Sequence, residues 1–287
     1  MMIPEFPLPK FPLAHLIDVG LNWLTHNFAF ITKALSHITS NVIDGIVNGL
    51  LWLPPWLLIL IVALLAWRAA GIRVAIGSAA GLLLLWNLRL WEATIETFTL
   101  VLISTFIAVA IGLPIGIGAA LSKRASRVVM PILDFMQTMP AFVYLIPAIP
   151  FFGLGAVSAS VATVIFATPP TIRLTALGIR QVPADLIEAA DAFGSSRRQK
   201  LFKVQLPMAV PTIMAGINQT IMLALSMVVI AAMIGAGGLG GEVWRAIQRL
   251  EPGKGFESGI AIVILAMILD RITQRLGNKS PAKAKTK

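Results

Sequence analysis

The chain has 287 residues, 57% of them hydrophobic and only 13% charged, whereas soluble domains carry about 25% charged residues. This composition, with a mean hydropathy of +0.85, excludes an ordinary soluble protein and indicates a membrane protein. The absence of cysteine excludes disulfide bonds, thiol catalysis and thiolate metal sites.

The N-terminal 50 residues predict an extracytoplasmic or interfacial segment. Residues 1–11 are rich in proline and lack the basic region followed by an apolar stretch that marks a cleaved signal peptide. From Pro12 to Gly49, apolar residues recur at helical spacing among polar ones, which favours an amphipathic helix on a membrane face. No metal site is predicted, because the three histidines would lie about 16 Å apart along such a helix. They are His15, His26 and His37.

Seven apolar segments follow, and we expect each to cross a membrane. They lie at about 54–70, 74–91, 96–121, 131–153, 156–179, 208–236 and 257–276. RAAGIR between the first two predicts a tight hairpin, and we expect Pro140, Pro147 and Pro150 to break the fourth. The sequence thus predicts an all-α polytopic membrane protein. Two accessory transmembrane helices fall in residues 51–92, a core in 93–276 and a basic cytoplasmic tail in 277–287.

The distribution of charge predicts the orientation of the chain, because loops on the cytoplasmic side carry an excess of lysine and arginine. If residues 188–200 are cytoplasmic and the spans alternate, 17 of the 23 basic residues lie inside and 6 outside. The N-terminus is then outside and the C-terminus inside. This topology accounts for most of the net charge of +10, so we do not expect nucleic-acid binding.

The most hydrophilic stretch within the apolar region is EAADAFGSSRRQK, residues 188–200. Gly194 can end one helix, Ser195 or Ser196 can cap a second that runs through RRQKLFKVQ, and Pro207 can restart the chain into the next span. The alternative is an ordinary basic loop. We expect a helix–turn–helix element over residues 183–205, called the bracket below. Its apolar face would consist of Leu186, Ala189, Ala190 and Phe193.

The spacing within the bracket resembles the EAA motif in the membrane subunits of bacterial ABC importers. EAA at residues 188–190, Gly194 and VQLP at residues 204–207 keep the spacing of that motif, with valine for the more usual isoleucine. In that family the loop forms coupling helices that sit in a groove of the ATPase. The resemblance therefore implies ATPase coupling by Glu188, Ala189, Ala190, Phe193, Gly194, Arg197, Leu206 and Pro207.

Three longer segments, 133–147, 169–189 and 201–240, resemble permeases of the glycine betaine/L-proline importers. The similarity runs from about residue 50 to residue 276 and is weaker before residue 95. It implies a type I ABC importer permease fold in a bacterial inner membrane. It also implies a homodimer with two ATPase subunits inside and a substrate-binding protein outside. The solute would be glycine betaine, proline betaine, choline, carnitine or, as an open alternative, another small solute.

The chain lacks the G-x-x-x-x-G-K-[ST] pattern with which a P-loop holds nucleotide phosphates. We therefore expect ATP and Mg²⁺ to bind the partner ATPase, and this chain to be a transport subunit without a cofactor. GAGGLG at residues 235–240 fits a dinucleotide fingerprint, but it follows a span rather than a strand. An outer gate or a contact for the binding protein fits these glycines better. They are Gly235, Gly237, Gly238 and Gly240.

Polar residues within the spans are candidates for the translocation pathway. Asn218, Met222 and Ser226 share one face of the sixth span, where they would either line the pathway or form interhelical hydrogen bonds. Weaker candidates in the broken fourth span are Gln137, Thr138 and Tyr144.

Two other function classes fit the spans less well. An ion-coupled secondary transporter commonly needs a buried acid, but Asp134 and Asp270 lie near span ends. A membrane enzyme would need histidine, cysteine or paired carboxylates within the spans, and none occurs there. Quaternary amines are held by aromatic cages. With one tyrosine in the chain and the tryptophans near span ends, we expect that cage in the binding protein.

Overall fold

The computed structural model describes residues 12–278, and this part of the chain forms thirteen α-helices and no strand. The first seven are α1 (Leu13–Asn27), α2 (Ala29–Trp52), α3 (Pro55–Ala70), α4 (Ile72–Asn87), α5 (Trp91–Leu121), α6 (Lys123–Thr138) and α7 (Leu145–Phe152). The others are α8 (Ala156–Arg180), α9 (Ala184–Ala192), α10 (Arg197–Lys200), α11 (Leu206–Ala231), α12 (Gly238–Gln248) and α13 (Pro252–Asn278). The all-α prediction is confirmed. The proline-rich segment 1–11 and most of the basic tail lie outside the described residues.

The centre of the fold is α8, which packs along both α5 and α11. Small residues let these helices approach closely. A Cβ atom on Gly116 of α5 would lie 2.8 Å from the carbonyl oxygen of Ile172, and one on Gly178 would lie 2.9 Å from Cβ of Thr212. Such small-residue contacts are how helices associate in lipid, where the hydrophobic effect supplies no force between them.

Buried hydroxyl groups form a second set of contacts between the same helices. The hydroxyl oxygens of Ser104 and Ser160 are 3.1 Å apart, which joins α5 to α8. Those of Thr171 and Thr220 are 2.8 Å apart, which joins α8 to α11, and Thr220 lies 2.9 Å from the carbonyl oxygen of Ala167. Each hydroxyl is thereby satisfied within the bundle, as a site without water requires.

The N-terminal region forms two helices rather than the single amphipathic helix expected. The break falls at Phe28, which leaves helical geometry for one residue between α1 and α2. The axis of α2 makes an angle of 102° with that of α3. A helix that lies along a membrane face beside a spanning helix would make such an angle. Most large apolar side chains of α1 and α2 are exposed.

The predicted hairpin between the first two apolar segments is present as α3 and α4. A single residue, Gly71, separates the two helices and has a φ of +96°, a conformation that glycine adopts without a steric cost. The hairpin packs against α13, which attaches it to the rest of the fold.

The fourth segment is bent by 110° between α6 and α7. The bend is at Met139, whose extended backbone is the conformation favoured before a proline, here Pro140. The prediction was wrong for Pro147 and Pro150, which lie inside α7. A proline removes one backbone donor, but an α-helix can continue where neighbouring groups compensate.

The number of spans remains a prediction. Each of the seven expected segments contains a helix. Within residues 12–278, three helices are long and apolar enough to cross a membrane by length and composition. These are α5, α8 and the continuous helix Arg197–Ile234. The pairs α2–α3 and α6–α7 reach that length only if each bent pair is one span.

We predict that Gly116→Ala lowers thermal stability, because its methyl group would meet the fixed carbonyl oxygen of Ile172. Overpacking of this kind costs about 1–3 kcal/mol. The control is Gly118→Ala on the same helix, where nothing lies within 4 Å of the new methyl group. The measurement is the unfolding temperature of detergent-solubilised protein. Equal unfolding temperatures for the two variants would contradict the proposed close contact.

Candidate coupling surface and translocation pathway

The turn of the bracket is fixed by its own backbone hydrogen bonds. After α9 ends, Ser195 donates its N–H to the carbonyl oxygen of Ala190 at 2.9 Å, and Gly194 donates to that of Asp191 at 2.9 Å. This pair of bonds is a Schellman motif, which needs a left-handed residue at its centre. Gly194 supplies it with a φ of +73°. The prediction that this glycine ends the helix is confirmed.

The second half of the bracket begins at Ser196 with a complete capping box. Its hydroxyl oxygen accepts the N–H of Gln199 at 3.3 Å, and the side chain of Gln199 accepts the N–H of Ser196 at 2.7 Å. These bonds satisfy two donors that a helix start leaves free. Lys200 also forms an ion pair with Asp191 at 2.5 Å, so the two halves are joined by side chains as well.

The chain does not restart at Pro207, as the sequence had suggested. A π-helical turn at residues 201–205 joins α10 to α11, and the helix runs without interruption from Arg197 to Ile234. The proline ring would clash with the carbonyl four residues earlier in a regular helix. The wider π turn lies where that clash would occur.

The bracket exposes apolar side chains beside its charges. Phe193 is 89% exposed and Phe202 64% exposed, and Leu186 is exposed on the same side of α9 as Phe193 by helical spacing. Of the predicted coupling residues, most are exposed and two are partly buried. The exposed ones are Glu188, Ala189, Phe193, Gly194, Arg197 and Pro207, and the partly buried ones are Ala190 and Leu206.

The base of the bracket is anchored in a small apolar cluster. Leu201 packs with Ile179 of α8 and with Ala209 and Ile213 of α11, and Leu206 lies against them. Leu201 therefore holds the C-terminal half of the bracket against α8 and α11.

The candidate pathway residues on α11 differ in their surroundings. Asn218 donates its side-chain amide to the carboxylate of Asp270 on α13 at 2.8 Å, so it forms an interhelical hydrogen bond. Met222 is partly buried against the main core, whereas Ser226 is exposed and donates to the carbonyl oxygen of Met222 at 3.0 Å. For Met222 and Ser226, pathway lining remains a prediction.

The candidate pathway residues in the bent fourth segment also differ in their surroundings. Gln137 and Thr138 are exposed at the end of α6. Tyr144 is buried, donates its hydroxyl to the carbonyl oxygen of Met136 across the bend, and packs edge-on against Phe166. Its position supports the bend rather than an open pathway.

The glycine-rich loop at residues 235–240 packs closely at the start of α12. Gly238 and Gly240 are buried, and a Cβ atom on Gly240 would lie 2.4 Å from the carbonyl oxygen of Val228. Gly235 is exposed and Gly237 is partly buried. The close packing is thus visible in the structure, while a gate or a binding-protein contact stays a prediction.

Sequence reasoning missed the two α5 side chains that hold this loop. The carboxylate of Glu96 accepts the N–H of Gly238 at 2.6 Å, and the hydroxyl of Thr97 accepts that of Leu239 at 2.8 Å. These bonds cap α12 from another helix, which satisfies donors that the glycines cannot satisfy themselves. The sequence signal that could have indicated this role was the position of Glu96, an acidic residue at the start of the predicted span 96–121.

Comparison with known proteins identifies the family. The sequence pattern of the family described as "Binding-protein-dependent transport system inner membrane component" matches residues 112–279. The chain is 53% identical over 276 residues to the glycine betaine transport system permease protein OpuAB of Bacillus subtilis (strain 168), covering 96% of this chain and 98% of that protein. The chain belongs to the ABC importer permeases, in the glycine betaine subfamily.

A second relative and a solved structure agree with this assignment. The permease is 53% identical over 281 residues to the glycine betaine/carnitine transport permease protein GbuB of Listeria monocytogenes serotype 1/2a (strain 10403S), covering 95% of this chain and 98% of that protein. The inward-facing MetNI methionine ABC transporter has the same fold, with a TM-score of 0.61 at 24% identity over 66% of this chain and 94% of that chain.

The family assignment fixes several broader properties of the permease. It is a multi-pass membrane protein of the type I ABC importer permease fold. It is a transport subunit rather than an enzyme, because ATP hydrolysis belongs to a separate subunit in this family. Family membership also implies an ATPase and a substrate-binding protein as partners.

We predict that Gly194→Val loosens the bracket without disturbing the transmembrane core. A β-branched residue in left-handed geometry costs about 1–2 kcal/mol. Apart from residue 194 and its two chain neighbours, no atom of residues 12–278 lies within 4 Å of the new Cβ, so the cost is confined to the backbone. Hydrogen exchange of a peptide covering residues 184–200 should become about 5- to 30-fold faster. Gly194→Asn, which tolerates this geometry better, is the control. Equal exchange in the two variants would contradict the role assigned to the turn.

Proposed function

We propose that the permease is the membrane subunit of an ATP-driven importer of glycine betaine or a related quaternary ammonium osmoprotectant. The support is near full-length similarity to two permeases whose names state glycine betaine as the solute. Proline betaine, choline and carnitine belong to the same chemical class, which shares a methylated cationic nitrogen.

The bracket is the proposed coupling surface for the ATPase. The observation that carries this proposal is Phe193, a large apolar side chain left 89% exposed on a backbone that local hydrogen bonds hold rigid. Exposed aromatic side chains of this kind mark protein-interaction sites. Glu188 and Arg197 are exposed beside it and add charge for specific docking. In this proposal ATP and Mg²⁺ bind the partner ATPase, and none binds this chain.

A second copy of the permease would complete the pathway. Along α6, the apolar side chains of Val128, Ile132 and Phe135 are exposed. They lie on the helix that also exposes Gln137 and Thr138. In a homodimer, this helix could face its counterpart, with polar residues toward the pathway. The apolar surfaces outside that interface would contact the lipid bilayer.

The proposed orientation in the bacterial cytoplasmic membrane follows the charge distribution. The N-terminus lies outside, the C-terminus lies inside, and the bracket faces the cytoplasm. The glycine-rich loop at residues 235–240 then lies at the outer side. Its exposed residue Gly235 could contact the binding protein, while the buried glycines pack the gate.

In this mechanism, closure of the ATPase dimer moves the two brackets. Each bracket is anchored to α8 and α11 through the cluster around Leu201, so the helices move with it. The two copies would rock between inward-open and outward-open states. Selectivity would lie in the binding protein, since the only tyrosine of the permease, Tyr144, is buried in the bend.

We predict that Phe193→Ala or Glu188→Lys abolishes transport-coupled ATP hydrolysis while leaving the permease folded. Removal of an exposed anchor aromatic costs about 2 kcal/mol or more of binding free energy. ATPase binding should therefore weaken about 30-fold or more for Phe193→Ala in a pull-down titration. Phe256→Ala is the control, because Phe256 is 74% exposed at the start of α13, away from the bracket. Unchanged ATPase binding by both bracket variants would remove the coupling assignment.

The decisive test of the function is uptake into proteoliposomes. The permease is reconstituted with its ATPase and binding protein, and labelled glycine betaine, proline betaine, choline and carnitine are supplied in turn. We expect uptake of at least one of them only when ATP and all three components are present. Uptake by the permease alone under an ion gradient would show a secondary transporter, and the proposal would fail.

A further inference from the structure

A basic cavity lies at the end of the bundle that also carries the bracket. Its volume is about 770 Å³, and it is formed where α5 passes into α6 and where α8 ends. Three of its lining residues are cationic: Lys123, Arg127 and Arg180. None of the described residues that line it carries a carboxylate.

No carboxylate of the described chain neutralises the three cations of this cavity. Arg173 is paired with Asp134 and Lys200 with Asp191. Within residues 12–278, none of the three cavity cations forms an ion pair. Like charges around one cavity repel each other, and a bound anion would offset that repulsion because it attracts all three cations. The N-terminus of α6 opens at the same place, and its dipole adds to the positive potential.

The cavity combines a fixed donor with an apolar wall. Arg180 donates Nη2 to the carbonyl oxygen of Ala119 at 2.5 Å, which ties its guanidinium group to the end of α5 and leaves its other donors available. Leu121, Met130 and Pro131 form an apolar part of the lining. Cationic donors beside apolar side chains suit an anion that has an apolar portion.

We propose that this cavity binds a phosphate group, supplied by the headgroup of an anionic phospholipid or by a soluble phosphate ester. Phosphate offers oxygens on several sides, so one group can accept from α6 and α8 together. Basic pockets between helices at a membrane surface bind lipid headgroups in this way. The proposal does not depend on which solute the permease carries.

Occupation of the cavity would tie α6 to the base of the bracket. Lys123 and Arg127 belong to α6, whereas Arg180 is the last residue of α8 and precedes the first residue of α9, Ala184, by four positions. A phosphate bound by both sides would thus link α6, which is part of the bent fourth segment, to the end of α8, which leads into the bracket.

The test measures binding by the full-length permease in a neutral detergent. The probes are dihexanoylphosphatidylglycerol, dihexanoylphosphatidylcholine and inorganic phosphate, each followed by titration calorimetry. Lys123→Gln and Arg127→Gln together should weaken phosphatidylglycerol binding about 25-fold, since each basic residue near a membrane surface contributes roughly a factor of five. Arg124→Gln, an exposed cation on α6 outside the cavity, should leave binding within about twofold.

The outcomes separate the two sources of phosphate. Binding of phosphatidylglycerol that inorganic phosphate does not displace supports a lipid headgroup, and displacement supports a soluble phosphate ester. Equal affinity for the two lipids without phosphate binding would overturn the proposal, and so would an equal loss with Arg124→Gln. Arg180 is left unchanged because it holds the Ala119 carbonyl. If the double variant does not fold, Arg127→Gln alone should bind about fivefold more weakly.

Discussion

The contact of α8 with α5 and α11 is the constraint on which the other elements depend. In an apolar stretch of 18 residues, 72% of α8 is buried, compared with 39% of α5, so α8 is the interior helix of the described chain. Lipid supplies no hydrophobic force between helices, so close approach at glycine and hydroxyl pairs must hold them together. Because α8 leads directly into the bracket, the position of the proposed coupling surface is set by this packing.

Several polar side chains in this permease bond to the backbone where helices begin, bend or end. Glu96 and Thr97 cap α12, Tyr144 binds a carbonyl across the α6–α7 bend, and Ser158 donates to the carbonyl of Gly153 near the start of α8. An unsatisfied backbone group within lipid costs several kcal/mol, roughly, so each break needs such a partner. Because some polar residues are needed to bond these backbone groups, the candidate pathway residues do not all lie on one surface.

The sequence predicted those features of the fold that depend on bonds between neighbouring residues. The hairpin at Gly71, the helix end at Gly194 and the cap at Ser196 each follow from one residue and its neighbours. Proline rules failed at Pro150 and Pro207, because the surrounding helix and a π turn accommodate those rings. The bonds from Glu96 and Thr97 to α12 join residues 142 positions apart, and no local pattern can indicate such a pairing.

The bracket combines an ordered backbone with exposed apolar and charged side chains, and this combination is suited to docking. Its turn and helix start are held by the Schellman motif at Gly194, the capping box at Ser196 and the ion pair between Asp191 and Lys200. A partner that binds Phe193 therefore meets a surface already in its final conformation, so less binding free energy is lost to ordering. A rigid surface also passes displacement to α8 and α11 rather than absorbing it, as the proposed coupling to an ATPase requires.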